Sequence, residues 1–219
     1  ESVRWQSMIG GFRRYRRFPL FDTVSAVLNA LAWQLPVFFL AAFFSPAIVG
    51  FYSLGFRILQ LAMFFVGGAL AQVFFQRAAE AKLEGRLGAL TEGAFRMLVG
   101  AGIFPILAVT VIGADLFALV FGEVWMEAGV YAQILSIWAF VWFISSPLST
   151  LYLVLERQDF GLKVNALNLG TRVAALYVGG LAGDPRIALG LFAVSGIFSY
   201  GYLCLNVLDF SGVPLVAVR

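Results

Sequence analysis

The chain has 219 residues, of which 61% are hydrophobic and 12% are charged, with a formal net charge of +3. A soluble domain carries about 25% charged residues, so this composition excludes an ordinary water-soluble fold. The absence of histidine and the single cysteine, Cys204, exclude His-based catalysis, a Cys/His zinc site and an internal disulfide. We therefore expect a protein that is not an enzyme, with no catalytic residue, no metal ligand and no cofactor.

Residues 1–20 are basic and aromatic, with four arginines between positions 13 and 17. Aromatic rings at the headgroup level and arginines against lipid phosphates suit a segment on the cytoplasmic surface of a membrane. An ordinary basic flank with no further role explains the same residues. The segment has no apolar signal-peptide core, and the chain opens on Glu1 rather than Met, so we expect it to be part of a longer protein.

Six apolar segments follow, and each is long enough to cross about 30 Å of hydrocarbon. They are residues 21–44, 48–76, 94–121, 128–155, 161–182 and 187–208. When successive segments cross the membrane in alternating directions, twelve basic residues fall in the loops and termini on one side of the membrane and only Arg186 falls on the other. The positive-inside rule then places both termini in the cytoplasm and 122–128 and 183–186 outside. Because topology explains the basic residues, we expect no nucleic acid partner.

The sequence thus predicts an all-α, six-helix transmembrane bundle over 21–211, followed by a cytoplasmic tail at 212–219. The charged segment between the second and third spans is expected to be helical beyond the membrane. Three prolines within the spans predict kinks, two of them near the middle of a span, and the hydroxyl residues around the third would satisfy backbone groups that the kink frees. These prolines are Pro36, Pro105 and Pro147.

Two arginines, Arg57 and Arg172, lie at mid-depth in their spans, where no carboxylate occurs at similar depth. A guanidinium has a planar fork of donors that suits phosphate oxygens, so the pair predicts a site for a polyvalent anion. In the alternative, each arginine reaches an interface or bonds to backbone carbonyls of a neighbouring helix.

Several amides also lie within the spans. They could line a hydrated cavity that handles sugar hydroxyls, or they could simply form hydrogen bonds between helices, worth roughly 0.6 kcal/mol each. The candidates for the cavity are Asn29, Gln34, Gln60 and Asn168, with Gln72 and Asn165 as further mid-span amides.

Motifs along the chain resemble the C-terminal half of bacterial polysaccharide biosynthesis flippases, which belong to the multidrug/oligosaccharidyl-lipid/polysaccharide flippase superfamily. The motifs are the YRRFP entry, the LP at 35–36, VGFYSLGFRILQ, AQVFFQRAAE, FGEVWMEAGVYAQIL and SPLSTLYLVLERQ. Arg57 is the arginine of a G-x-Y-x-L-x-x-R pattern, so a family role carries over best to this residue. Arg172 has no motif behind it.

The resemblance implies one lobe of a two-lobe transporter in the bacterial inner membrane, with an N-terminal lobe supplied elsewhere. It implies export of undecaprenyl-pyrophosphate-linked oligosaccharide by alternating access, for surface polysaccharides such as lipopolysaccharide. Membrane lipids would surround the lobe and hold the lipid tail of the substrate. A drug or cation exporter of the same superfamily is an alternative, although it calls for carboxylates. A membrane-bound polysaccharide polymerase or acyltransferase is another, although it usually needs a catalytic loop or an intramembrane His or Asp.

Overall fold

The computed structural model describes residues 17–213, with only the backbone described at 17–22, 62–66 and 69. Every regular element in this range is helical, which confirms the all-α prediction for the described chain. The long helices are α1 (Arg17–Phe43), α2 (Pro46–Leu83), α3 (Leu87–Phe121), α4 (Met126–Leu148), α6 (Gln158–Leu181) and α7 (Pro185–Phe210). A 3₁₀ turn at Glu123–Trp125 precedes α4, and the short helix α5 (Leu151–Val154) follows it.

The helices run alternately between two ends of the bundle. At the first end, which we call the Trp125 end, Phe51 packs on Trp125. There Arg186 and Glu127 form a bidentate ion pair, in which Nε and Nη2 of the arginine donate to the two carboxylate oxygens at 3.0 and 2.6 Å. The turn at 84–86 lies at the opposite end, which we call the Gly85 end. There the Nζ of Lys82 donates a hydrogen bond to the carbonyl oxygen of Val154 at 2.8 Å. The predicted alternating path is therefore the path that the described chain takes.

Helix α4 forms the centre of the bundle, since it packs against α2, α3 and α7. More than half of the apolar segment that contains it is buried, compared with 17% in α3. Small residues let the backbones approach closely, as is usual where lipid gives no hydrophobic drive between helices. At Gly55 of α2, an added Cβ would lie 2.5 Å from the carbonyl oxygen of Ala128. The contact between α2 and α4 thus requires glycine.

Helix bounds differ from the predicted spans mainly at the Gly85 end. Helix α2 continues to Leu83 and α3 begins at Leu87, so the charged segment is helical as predicted, apart from the turn at 84–86. Helix α4 ends at Leu148, immediately after Pro147, and the hydroxyls of Ser149 and Thr150 donate to nearby carbonyls. Pro36 and Pro105, in contrast, lie within helices that run on without a break.

Four of the described segments are long and apolar enough to cross a membrane: Thr23–Phe43, Leu87–Phe121, Glu123–Val154 and Pro185–Phe210. These segments identify the chain as a membrane protein. The count of six spans stays a prediction, as do the two-lobe arrangement and the division of the chain at 20 and 211. The proposed interfacial segment lies outside the described residues except at 17–20, and the proposed tail lies outside them from 214 onward.

Candidate substrate-binding clefts

A cleft of about 390 Å³ opens beside Arg57 on the surface between α2 and α4. Helix α2 buries Tyr52, Gly55 and Leu59 against the bundle, so the side chain of Arg57 projects away from that face and is exposed. No described residue accepts a hydrogen bond from it or forms an ion pair with it. The described lining, which we call the Arg57 cleft, comprises Arg57, Gln60, Leu61, Gly67, Gly68, Ala71, Trp142, Phe143, Ser146 and Pro147.

A second cleft, of about 410 Å³, lies between α1, α2, α4, α6 and α7. We call it the polar cavity, because amides, hydroxyls and aromatic rings make up most of its wall. Its described lining contains no Asp, Glu, Lys or Arg. The residues are Asn29, Trp33, Gln60, Trp142, Ser145, Ser146, Ser149, Tyr152, Val164, Asn165, Asn168, Ser199, Tyr200 and Leu203.

The two clefts meet along one wall, since both are lined by Gln60, Trp142 and Ser146. A third cleft of about 340 Å³ brings Gln34 to the same region, where it shares Arg57 and Gln60. None of the described residues that line these three clefts is an Asp or a Glu. The arrangement therefore places the Arg57 guanidinium, which has no carboxylate partner among the described residues, beside the uncharged polar cavity.

Five of the six predicted site residues line these clefts. Gln60 lies at their junction, Arg57 and Gln34 lie on one side of it, and Asn29 and Asn168 line the polar cavity. Their role in substrate binding stays a prediction. Asn165, which was a weaker candidate, also lines the polar cavity and donates to the hydroxyl of Ser25 at 2.6 Å.

Arg172, the sixth predicted residue, lines none of the three clefts and has no exposed surface. Its Nη1 donates to the carbonyl oxygen of Ala32 at 3.1 Å, which is the kind of contact that the alternative interpretation describes. Its Nε and Nη2 have no hydrogen-bond partner among the described residues. A role for Arg172 in substrate binding remains untested, and it would require the side chain to leave this position.

Aromatic rings surround the guanidinium of Arg172. Its Cζ lies 4.7 Å from the ring centre of Phe192, 5.1 Å from that of Trp33, 5.3 Å from that of Trp138 and 5.8 Å from that of Tyr200. Cation–π contacts strengthen when they are desolvated, to about 2 kcal/mol or more. Such contacts offset part of the cost of burying a charge without a carboxylate.

Sequence reasoning missed the aromatic part of the clefts. Trp33, Trp142, Tyr152 and Tyr200 line the polar cavity, and none of them was among the predicted site residues. One signal was available in α4. Ser145 and Ser146 lie three and four residues after Trp142, and Ser149 lies four and three residues after them, a pattern that places all four on one face of a helix.

A family model described as "Polysaccharide biosynthesis protein" matches residues 1–130, which is more than half of the chain. The chain belongs to that family. The matched part contains α1, α2 and α3, and therefore Asn29, Gln34, Arg57 and Gln60. No curated protein and no solved structure matches the chain. Family membership and the apolar helices together assign this polysaccharide biosynthesis protein to a membrane.

Proposed function

We propose that this polysaccharide biosynthesis protein forms one lobe of a flippase for undecaprenyl-pyrophosphate-linked oligosaccharide. It would move the substrate across the bacterial inner membrane by alternating access, without covalent chemistry, for the assembly of surface polysaccharide such as lipopolysaccharide. The observation that carries the proposal is the exposed Arg57 guanidinium in a cleft whose described lining has no carboxylate. An N-terminal lobe would supply the facing wall.

The pyrophosphate of the substrate would bind beside Arg57. A guanidinium donates several N–H groups in a fixed fork, so it binds phosphate oxygens with two bonds at once, and it stays charged at any physiological pH. Because no described residue bonds to it, the side chain is available to a ligand. Gln60, which lines the Arg57 cleft together with Arg57 and also lines the polar cavity, can donate from its amide to a further phosphate or sugar oxygen.

The alternatives require chemistry that the clefts do not favour. A drug or cation exporter would need carboxylates where Arg57 and Gln60 lie, because a cation next to a free guanidinium is repelled. A polymerase or acyltransferase would need a general base, such as a carboxylate or a histidine, to activate a nucleophile beside the substrate. The described lining offers hydroxyls, amides and rings instead, which suit binding rather than bond cleavage.

The test is export by the full-length protein with Arg57→Gln, measured per folded molecule in a strain that depends on it. Loss of a charge-assisted hydrogen bond is expected to lower export about tenfold or more, with normal abundance. Arg57→Lys should retain part of the activity, because a point charge replaces a planar fork.

The matched control is Arg77→Gln, which makes the same change on the same helix outside the Arg57 cleft. It should leave export near the wild-type level. Full export by a well-folded Arg57→Gln protein would overturn the anchoring role. Equal losses in the two variants would show that general positive charge, and not the cleft, matters.

A further inference from the structure

Three serines of the polar cavity, Ser145, Ser149 and Ser199, present hydrogen-bond acceptors to its interior. Ser145 donates its proton to the carbonyl oxygens of Val141 and Tyr200, at 2.6 and 3.0 Å. Ser199 likewise donates to the carbonyl oxygen of Ser195 at 3.0 Å. A hydroxyl has one proton and two lone pairs, so these groups have already used their donor and have lone pairs left to accept a bond.

Ser149 and Asn165 follow the same pattern. Ser149 donates to the carbonyl oxygen of Ser146 at 2.6 Å, and the amide of Asn165 donates to Ser25 at 2.6 Å. The three serines thus direct their protons to the backbone and keep lone pairs for a ligand, and Asn165 keeps its Oδ1 and a second N–H. The described lining of the cavity contains no lysine or arginine, so a carboxylate placed there would lose its water without gaining a cation as partner.

Asn168 gives the strongest sign that a ligand completes this wall. The residue is 2% exposed and lines the polar cavity, yet its Oδ1 has no hydrogen-bond donor among the described residues. A buried polar atom without a partner costs roughly 1–3 kcal/mol, so native proteins rarely leave one unless water or a ligand reaches it. The missing partner must be a donor.

Aromatic rings beside these acceptors favour a saccharide as the source of the donors. Trp33 and Trp142 lie 4.8 Å apart between ring centres in an edge-to-face arrangement, and both line the cavity. The apolar C–H faces of a sugar pack on such rings while its hydroxyls donate to the oxygens around it. Arg172 does not line this surface, since its guanidinium is wholly buried behind Trp33 and Tyr200, so it forms no direct bond to a ligand in the cavity.

We propose that the polar cavity is a subsite for a neutral sugar, that it discriminates against acidic sugars, and that Asn168 is its main specificity-determining residue. This inference rests on the proposed function, because the shared wall at Gln60, Trp142 and Ser146 makes the cavity continuous with the pyrophosphate site at Arg57. The sugar attached directly to the pyrophosphate therefore carries hydroxyl or acetamido groups and no carboxylate.

The experiment compares three ligands on the purified full-length protein in lipid nanodiscs. They are undecaprenyl pyrophosphate, the same lipid bearing one N-acetylhexosamine, and the same lipid bearing one hexuronic acid. Binding is followed by tryptophan fluorescence, for which Trp33 and Trp142 are placed in the wall. The neutral sugar should tighten binding about tenfold over the bare lipid, by a few hydrogen bonds, and the acidic sugar should give no gain.

Asn168→Leu should remove most of the gain in affinity that the neutral sugar gives over the bare lipid. Ser199→Ala is a milder second variant that deletes one acceptor, and it should reduce the gain a few-fold. The matched control is Asn206→Leu, the same change on α7 outside the cavity. It should leave all three affinities unchanged.

An equal gain from the acidic sugar, or a gain that survives both Asn168→Leu and Ser199→Ala in folded protein, would overturn the subsite. Bare lipid that binds and depends on Arg57, with no gain from either sugar, would overturn the subsite and leave the proposed function intact. If none of the three lipids binds wild-type protein, the proposed function fails and the subsite fails with it.

Discussion

Arg172 on α6 donates a hydrogen bond to the backbone carbonyl of Ala32 on α1, 3.1 Å away, and so joins two helices that are distant in sequence. The rings around its guanidinium come from α1, α4 and α7. One side chain therefore links its own helix, α6, to three other long helices. This position makes Arg172 a packing residue of the bundle in the conformation described.

We predict that Arg172→Ala lowers the free energy of unfolding by about 2–5 kcal/mol, as expected for a large buried side chain whose removal leaves a cavity. Arg172→Met should cost less, because it refills much of the volume and removes the need to bury a charge. Thermal unfolding of the purified protein in detergent measures both. Arg57→Ala is the control, since that side chain is exposed, and it should unfold at the wild-type temperature. An Arg172→Ala protein that is as stable as Arg57→Ala would contradict the packing role.

We predict that Gly55→Ala destabilises the protein by about 1–3 kcal/mol, because the new Cβ would press on the carbonyl oxygen of Ala128 and push α2 away from α4. Gly50→Ala offers a matched control on the same helix, where nothing lies within 4 Å of the added atom. That change should be neutral or slightly stabilising, since alanine favours a helix more than glycine. Equal stabilities of the two variants would mean that the α2–α4 contact is looser than described.

The topology prediction is tested by single cysteines in a Cys204→Ala background. Positions 125 and 184 lie at the end of the bundle that contains Arg186, and the positive-inside rule predicts that this end faces outward. A cysteine at either position should therefore react with a membrane-impermeant maleimide added to intact cells. A cysteine at 85 or 156 should react only after the membrane is opened. Labelling of 85 in intact cells, with 125 silent, would reverse the orientation. Labelling of 125 and 184 from opposite sides would contradict the alternating path itself.

Much of the helix order could be predicted, because the long apolar runs leave little choice of element and Pro46 and Pro185 mark the first turns of α2 and α7. The rotation of each helix about its own axis could not be predicted. Arg57 and Arg172 lie at similar depth in their helices, yet the side chain of Arg57 is exposed and that of Arg172 is buried among aromatic rings. In helices that are apolar on nearly every face, no polar stripe indicates which side faces a neighbour. The rotation of a helix is decided by the residues of the neighbouring helices that it contacts, and these residues come from distant parts of the chain.

The clefts were predictable only in part for the same reason. Asn29, Gln60 and Asn168 could be selected as amides in apolar surroundings, since each needs a partner wherever it lies. Trp33 and Trp142 could not be separated from packing aromatics by type alone. Their place in the polar cavity follows from the crossing of α1 with α4 and α6, which is a property of the assembled bundle.

The close pairing of α2 and α3 at the Gly85 end has a practical consequence for imaging. Two long helices are joined by the turn at 84–86, where Gly85 adopts φ +69° and a Cβ added to it would meet nothing within 4 Å outside its chain neighbours. A small rigid domain inserted there through continuous helices would inherit their direction rather than rotate on a flexible tether. For a membrane protein with little mass outside the bilayer, that gives electron cryomicroscopy an alignment marker fixed to the helix that carries Arg57.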